Sequence, residues 1–224
     1  MSIKVYIVRH GQTILNLYNR MQGWCDTPLT VAGMDDATAA GKALANIHFD
    51  YAYSSDLPRA KRTAELVLDQ LTTGQRPVLR ISTLFREQSM GYLEGEDGGH
   101  AAEIITGKPF ASFGEFAKTM PMSKVRDLMA AQDPHHIAEN NHDFLHRINM
   151  GIEQLSELPD GSTVLLVSHG LVIRSLMEEF AAPGLYDPGH APENGTIQLM
   201  EINNGQPTVK FYNRHNLPDL PADD

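Results

Sequence analysis

Residues 162–170 read STVLLVSHG and contain a continuous run of apolar side chains. A strand with one face in water alternates apolar and polar residues, so an unbroken apolar run is typical of a strand buried on both faces. A helical pattern follows this run over about residues 171–181. The feature therefore predicts an α/β fold in which helices cover both sides of a sheet.

The rest of the chain alternates in the same way. Strand patterns cover residues 3–8, 49–55 and 78–82, and a hairpin around Asn204-Gly205 is predicted over 195–214. Helical patterns follow Thr30, which is a plausible N-cap, and cover 57–71, with Pro58 in the first turn. This alternation predicts an α/β sandwich with a mostly parallel central sheet.

The middle of the chain interrupts the alternation. Residues 88–150, approximately, are rich in Gly and Met and contain only short helical patterns. We predict that this segment is an insertion over one edge of the sheet, within one domain that spans residues 1–224. The tail after Asn216, which reads LPDLPADD, is predicted to be loose.

Charge and cysteine content limit the partners. The net charge is −10, from 18 basic and 28 acidic residues, which argues against nucleic acid or an anionic membrane as the main partner. A small anionic substrate remains compatible, because a local cationic pocket can lie on an acidic protein. Cys25 is the only cysteine, and no apolar stretch reaches signal-peptide or membrane-spanning length. These features predict a cytoplasmic protein; they indicate no oligomeric state.

Two strands end alike, in YIVRHG at 6–11 and LLVSHG at 165–170. Ligands of open α/β sheets bind at the carboxyl ends of the strands, so His10 and His169 are expected to face one crevice. Arg59 and Arg62 lie near the start of a predicted helix, whose partial positive charge favours anions. Glu87 follows another strand and offers a proton-transfer group. With Asn16, this set predicts a phosphoryl-transfer site without a metal ion.

Other catalytic chemistries fit the sequence less well. His142 and His146 lie one helical turn apart, as in a helical zinc site, but Asp143 stands where the Glu base is needed and no third ligand is evident. An exposed surface helix is the alternative interpretation. A Cys25 nucleophile would require an Arg six residues later, where the chain has Val31.

The motifs VRHGQTILN, QGWCDTPLTVAG, YSSDLPRAKRTAE, FREQSMGYLEG and VSHG resemble successive motifs of the histidine phosphatase superfamily, in its phosphoglycerate-mutase-like branch. The resemblance covers about residues 4–95 and 163–175, in the order of the family. It implies a three-layer α/β/α sandwich with a helical insertion over the active site.

The resemblance also implies the role of each site residue. His10 would be the phosphate-accepting nucleophile, and Glu87 the proton donor. The phosphoryl group would be bound by Arg9, Asn16, Arg59 and His169. Arg62 has no counterpart in the motif and is expected on the helix surface. His10 must attack as a neutral imidazole, and a backbone carbonyl that accepts from its other nitrogen would fix that tautomer.

The sequence also bears on the choice between hydrolysis and transfer. Cofactor-dependent mutases of this branch carry YGxLxGxNK and a pair of adjacent arginines that hold a second phosphate or carboxylate. This chain has no Arg-Arg pair, and its MGYLEGEDGG stretch places Glu94, Glu96 and Asp97 there. A pocket without that second anion clamp is expected to lose its phosphate to water.

We therefore predict a phosphomonoesterase that hydrolyses small phosphorylated metabolites through a phosphohistidine, without a metal or other cofactor. A cofactor-dependent phosphoglycerate mutase and a non-catalytic phospho-ligand binding module are the alternatives. A binding module would be expected to have lost His10 or Glu87, and both are present. The insertion is expected to cover the pocket. Its apolar side chains would either line the entrance of the pocket or form a core of the insertion; they are Met90, Tyr92, Met120, Met122 and Met129.

Overall fold

The computed structural model describes residues 2–187 and 190–217, and a six-stranded sheet forms its centre. The strands are β1 (Ile3–Arg9), β2 (Tyr51–Ser54), β3 (Leu79–Ile81), β4 (Thr163–Ser168), β5 (Ile197–Asn203) and β6 (Gln206–Arg214). Their spatial order is β3-β2-β4-β1-β5-β6, in which β1 to β4 run parallel and β5 and β6 form an antiparallel edge. The predicted mostly parallel sheet is confirmed.

The helices flank this sheet and build the insertion. They are α1 (Ile14–Leu17), α2 (Val31–Ala43), α3 (Pro58–Leu68), α4 (Gly98–Thr106), α5 (Phe113–Ala117), α6 (Met122–Gln132), α7 (Asn141–Ser156) and α8 (Gly170–Phe180). Two short 3-10 turns, Thr83–Phe85 and Gly91–Leu93, follow β3.

Alternate side chains of β1 point to opposite faces of the sheet. Val5 and Ile7 pack in one apolar cluster with residues of α7 and α8, whereas Tyr6 and Val8 pack in another with residues of α2 and α3. Both faces are therefore covered, which explains the unbroken apolar run in β4 and confirms the three-layer α/β/α arrangement.

Local signals account for several element boundaries. The Thr30 hydroxyl accepts a hydrogen bond from Gly33 N at 3.0 Å and caps α2, and Pro58 occupies the first turn of α3. Asn204 and Gly205 both have positive φ, at 49° and 75°, and connect β5 to β6 in the predicted hairpin. After β1, a Cβ atom on Gly11 would lie 2.0 Å from Gly33 O, so only glycine allows the chain to approach α2 there.

The inserted segment divides into two parts. Helices α4 to α6 form their own apolar cluster, in which Met90, Met122 and Met129 are buried, whereas Tyr92 is exposed. Helix α7 instead packs on the sheet through residues that include Phe144 and Ile148, so the predicted insertion extends too far toward residue 150. Of the predicted tail, residues 218–224 lie outside the described residues. Among the described helices, none is long and apolar enough to cross a bilayer.

Candidate active site

His10 follows the last residue of β1 and is 3% exposed. Its Nδ1 lies 2.9 Å from Gly11 O, so Nδ1 carries the proton and donates it to this carbonyl. The other nitrogen, Nε2, then holds the lone pair. Burial, followed by the nearby guanidinium groups of Arg59 and Arg9, keeps the pKa of His10 well below 6.5. The ring is therefore neutral and nucleophilic at neutral pH.

Arg59, in the first turn of α3, contacts the attacking nitrogen directly. Its Nε donates to His10 Nε2 at 3.3 Å, which agrees with an unprotonated Nε2. The rest of the guanidinium is fixed by Gly23 O at 2.7 Å, Cys25 O at 2.9 Å and the Asp26 carboxylate at 2.8 Å. Because its side chain is fully buried, the Arg59 charge acts in a medium that screens it little.

His169 follows β4 and is fully buried, with its ring centroid 5.1 Å from that of His10. Its Nε2 lies 2.6 Å from the hydroxyl of Ser55, which already accepts from Leu57 N. We assign the Ser55 hydroxyl as the donor to Nε2, which leaves the proton of His169 on Nδ1. Nδ1 is buried and has no hydrogen-bond partner among the described residues, so it can donate to a ligand.

Arg9 and Asn16 complete the anion-binding groups. Arg9 donates from Nη1 to Pro192 O, while its buried Nε has no partner among the described residues. The Asn16 carbonyl oxygen accepts from Thr13 N at 3.2 Å and from Asn194 Nδ2 at 3.4 Å. This arrangement directs the amide hydrogens of Asn16 to the pocket, which both Arg9 and Asn16 line.

Glu87 lines the same pocket and is 5% exposed. Its two carboxyl oxygens accept from Gln88 N at 2.9 Å and from Leu171 N, in the first turn of α8, at 3.0 Å. These bonds favour the charged form, but burial outweighs them and raises the pKa of Glu87 above 4.5. A carboxyl held in this way is suited to donate a proton and take one back.

A half-buried ion pair holds the segment that carries Glu87. Arg147, on α7, forms a two-bond pair with Glu139, with both distances 2.7 Å. The same guanidinium donates to the carbonyls of Leu84, Arg86 and Glu87, and Glu139 accepts from Ser89 N. No short motif signals this clamp, because the ion pair lies 50 to 63 positions along the chain from the groups that it holds.

The pocket, with a volume of about 180 Å³, extends from His10 to the inserted helices. It is lined by Arg20 and Arg174 as well as by Arg9, whereas Glu94, Glu96 and Asp97 do not line it. The three acidic residues that the sequence predicted in place of a second anion clamp therefore do not reach the pocket, whereas two further arginines do. Glu94 instead accepts from the backbone N–H groups of Gly23, Trp24, Cys25 and Met90 and fixes the loop that holds Arg59.

The remaining candidates lie outside this arrangement. Arg62 is exposed and pairs with Glu65, as predicted for a helix-surface residue. His142 is 88% exposed beside Asp143, and the described residues contain no group of three or more His, Cys, Asp or Glu side chains placed to hold a metal ion. Burial, with the Glu94 carboxylate nearby, raises the pKa of Cys25 to about 12, so its thiol stays protonated.

A neutral buried imidazole at the end of β1, cationic and amide donors around it, and the buried Glu87 carboxyl thus lie together in the arrangement that the sequence predicted. The sequence model of the histidine phosphatase superfamily (branch 1) matches residues 5–215, and the chain belongs to this family.

Several relatives are similar over most of their length. The protein named "Probable phosphoglycerate mutase GpmB" of Yersinia pestis (strain Pestoides F) is 31% identical over 191 residues, which cover 84% of this chain and 78% of the relative. The crystal structure of phosphoglycerate mutase from Bacillus anthracis str. Sterne is 34% identical, with a TM-score of 0.83 over 96% of this chain and 94% of the other. A mycobacterial glucosyl-3-phosphoglycerate phosphatase, 24% identical with a TM-score of 0.67, covers 94% and 98% of the two chains and shares the fold.

Proposed function

We propose that this protein is a phosphomonoesterase that hydrolyses small phosphorylated metabolites through a phosphohistidine on His10. The observation that carries the proposal is a pair of buried nitrogens without partners among the described residues, Arg9 Nε and His169 Nδ1, close to a neutral His10 whose Nε2 holds the lone pair. Buried donors without partners are costly, and an oxygen-rich ligand such as a phosphoryl group satisfies them.

In the first step, the lone pair of His10 Nε2 attacks phosphorus in line with the ester oxygen. The P–O bond breaks, and the proton of Glu87 passes to the departing oxygen, so the product leaves as a neutral alcohol. Gly11 O accepts from Nδ1 and stabilises the positive charge that develops on the imidazole. Arg9, Arg59, Asn16 and His169 stabilise the charge on the equatorial oxygens.

In the second step, the Glu87 carboxylate takes a proton from water, and the water oxygen attacks the phosphohistidine. The P–N bond breaks, inorganic phosphate forms, and His10 and Glu87 return to their starting states. Arginine guanidinium groups supply the positive charge and the neutral His169 adds an N–H donor, so the proposed reaction requires no metal ion or other cofactor.

A cofactor-dependent phosphoglycerate mutase is the second candidate, because the relatives named above are called mutases. A bisphosphorylated intermediate would bring a second dianionic phosphate into the pocket. Of the two further arginines that line it, Arg174 is already paired with Glu178 at 3.1 Å, so little charge is left for that phosphate. This balance favours release of phosphate to water.

The test is a panel of phosphomonoesters assayed with and without 2,3-bisphosphoglycerate. We expect inorganic phosphate from several esters, at rates that the bisphosphate does not raise. Isomerisation of a phosphoglycerate that depends on the bisphosphate, with little free phosphate, would identify a mutase instead. Binding of esters without either reaction would identify a binding module. We further propose a cytoplasmic location and no nucleic-acid or membrane partner, in keeping with the net charge of −10.

A further inference from the structure

The carbonyl of Gly11 orients the His10 ring for attack, and a threonine on another element contacts the same glycine. Gly11 O accepts from His10 Nδ1 at 2.9 Å, while Thr63, in the middle of α3, is fully buried and accepts from Gly11 N. We propose that Thr63 is a positioning residue for the phosphoryl transfer, because its hydroxyl fixes the backbone that orients the His10 imidazole. The inference rests on the proposed function and adds a residue to its first step.

The backbone at Gly11 has more conformational freedom than it would have at any other residue type. The close approach to α2 requires glycine here, because a Cβ atom on Gly11 would lie 2.0 Å from Gly33 O. Glycine has a wide range of accessible φ and ψ angles, so it does not by itself hold its carbonyl in one direction. The direction of Gly11 O therefore depends on partners from the surrounding elements.

Two such partners hold the peptide group between His10 and Gly11. Its N–H donates to the Thr63 hydroxyl at 3.1 Å, and its carbonyl, His10 O, accepts from Asn194 Nδ2 at 2.9 Å. Without the hydroxyl, the buried Gly11 N–H would lose its acceptor, which is costly. With both ends of this peptide group fixed, the next carbonyl, Gly11 O, stays directed at His10 Nδ1.

The Thr63 hydroxyl is itself held in one orientation. It donates to Arg59 O, one helical turn earlier, at 2.8 Å, so its hydrogen points along α3 and an oxygen lone pair is left for Gly11 N. Arg59 in turn donates from Nε to His10 Nε2 at 3.3 Å. A single helix, α3, thus acts on both ring nitrogens of His10. It reaches Nε2 through Arg59 and Nδ1 through Thr63 and Gly11.

The contact matters most in the transition state. Attack through Nε2 places positive charge on the imidazole, and Nδ1–H then becomes a stronger donor to Gly11 O. A carbonyl that is already in place stabilises this charge without reorganisation, and an interaction that strengthens only in the transition state raises the rate. Loss of the Thr63 hydroxyl should therefore slow attack on phosphorus for any leaving group and leave substrate binding almost unchanged.

The test is Thr63→Val, which keeps the shape of the side chain and removes its hydroxyl. Thr38→Val is the matched control, because Thr38 in α2 likewise donates to the carbonyl four residues earlier, Met34 O, at 2.8 Å, but does not line the pocket. Single-turnover rates are measured on an alkyl phosphate and on nitrophenyl phosphate. We expect Thr63→Val to slow both esters about tenfold, the size of one lost hydrogen bond to a charged group, with little change in the half-saturating concentration. Thr38→Val and Thr63→Ser, which keeps the hydroxyl, should remain close to wild type.

A spectroscopic measurement separates positioning from a general loss of stability. The Hδ1 proton of His10, identified by its absence in His10→Ala, should give a proton NMR signal shifted downfield by the hydrogen bond to Gly11 O. Thr63→Val should move this signal upfield, because the carbonyl is then less firmly directed at Nδ1. Thr38→Val should leave the signal in place even if it lowers the free energy of unfolding.

Equal rates in Thr63→Val and Thr38→Val would overturn the proposal. A slow Thr63→Val whose His10 signal does not move would also overturn it, because the threonine would then have only a structural role. If the valine variant does not fold, Thr63→Ser decides: wild-type rates with an unmoved signal support the proposal, and a loss of about tenfold contradicts it. If the wild type hydrolyses neither ester, the proposed function fails separately, and the NMR comparison still tests the contact.

Discussion

Replacement of Glu87 by Gln tests the proton-transfer step with little change in shape. The carboxyl oxygens of Glu87 accept from Gln88 N and Leu171 N, and the neutral amide keeps one of these acceptors. The fold should persist, because a buried neutral acid and an amide are similar in size and polarity. The variant, however, has no proton to give to a departing oxygen.

The size of the effect depends on the leaving group. An alkoxide leaves poorly unless it is protonated, whereas a nitrophenolate leaves unaided. General acid catalysis contributes a factor of about 10² to 10⁴, so Glu87→Gln should lose that factor on an alkyl phosphate and far less on nitrophenyl phosphate. The assay is single-turnover release of each alcohol, which isolates the first step from hydrolysis of the phosphohistidine.

The pH profile provides the second test of the same residue. Burial raises the pKa of Glu87, and the acid form is the active one, so the rate should fall as pH rises through this raised pKa. Burial lowers the pKa of His10, so its neutral form should persist well below pH 6.5. The variant should lack the decline at high pH. Equal losses on both esters, with the decline retained, would refute the assignment of Glu87 as the acid.

Three further outcomes are expected. His10→Ala should abolish turnover and the acid-labile phosphate trapped on the enzyme, while circular dichroism stays unchanged; substantial remaining turnover would contradict a covalent mechanism. Activity should survive exhaustive EDTA treatment, and a loss restored by zinc or magnesium would exclude the proposed chemistry. Arg147→Met should lower the free energy of unfolding in urea by about 2 kcal/mol, because it leaves the Glu139 carboxylate, whose side chain is 13% exposed, without its cation; a loss under about 1 kcal/mol would contradict the clamp.

The features that are predicted correctly are those that depend on residues close together in the chain, such as strand burial and the residues at strand ends. The apolar run of β4 reports burial on both faces, because each side chain there meets a helix layer. The matching ends of β1 and β4 place His10 and His169 together, because parallel neighbours end at the same edge of a sheet. Strands and helices of the α/β core were therefore predicted within a few residues of their observed bounds.

Groups that hold the site residues in place were not predicted, because they come from distant parts of the chain. Ser55 contacts His169 across 114 positions, and Asn194 contacts the His10 carbonyl across 184. Each residue is an ordinary polar side chain in its own segment, so composition and spacing give no indication of its partner. The sequence places most of helix α7 in the insertion for a similar reason, since only the packing of this helix shows that it covers the sheet.

The arginines of the pocket show where reasoning from motifs fails. The absence of an adjacent Arg pair and the presence of Glu94, Glu96 and Asp97 predicted a pocket with no second group of cations. Charge in a pocket, however, depends on which side chains reach its surface: Glu94 is bound to four backbone N–H groups elsewhere, while Arg20 and Arg174 reach the pocket from separate elements. The choice between hydrolysis and transfer therefore depends on how much positive charge remains in the pocket after Glu178 has paired with Arg174. The proposed hydrolysis rests on this remaining charge, and the ester panel with and without 2,3-bisphosphoglycerate tests it.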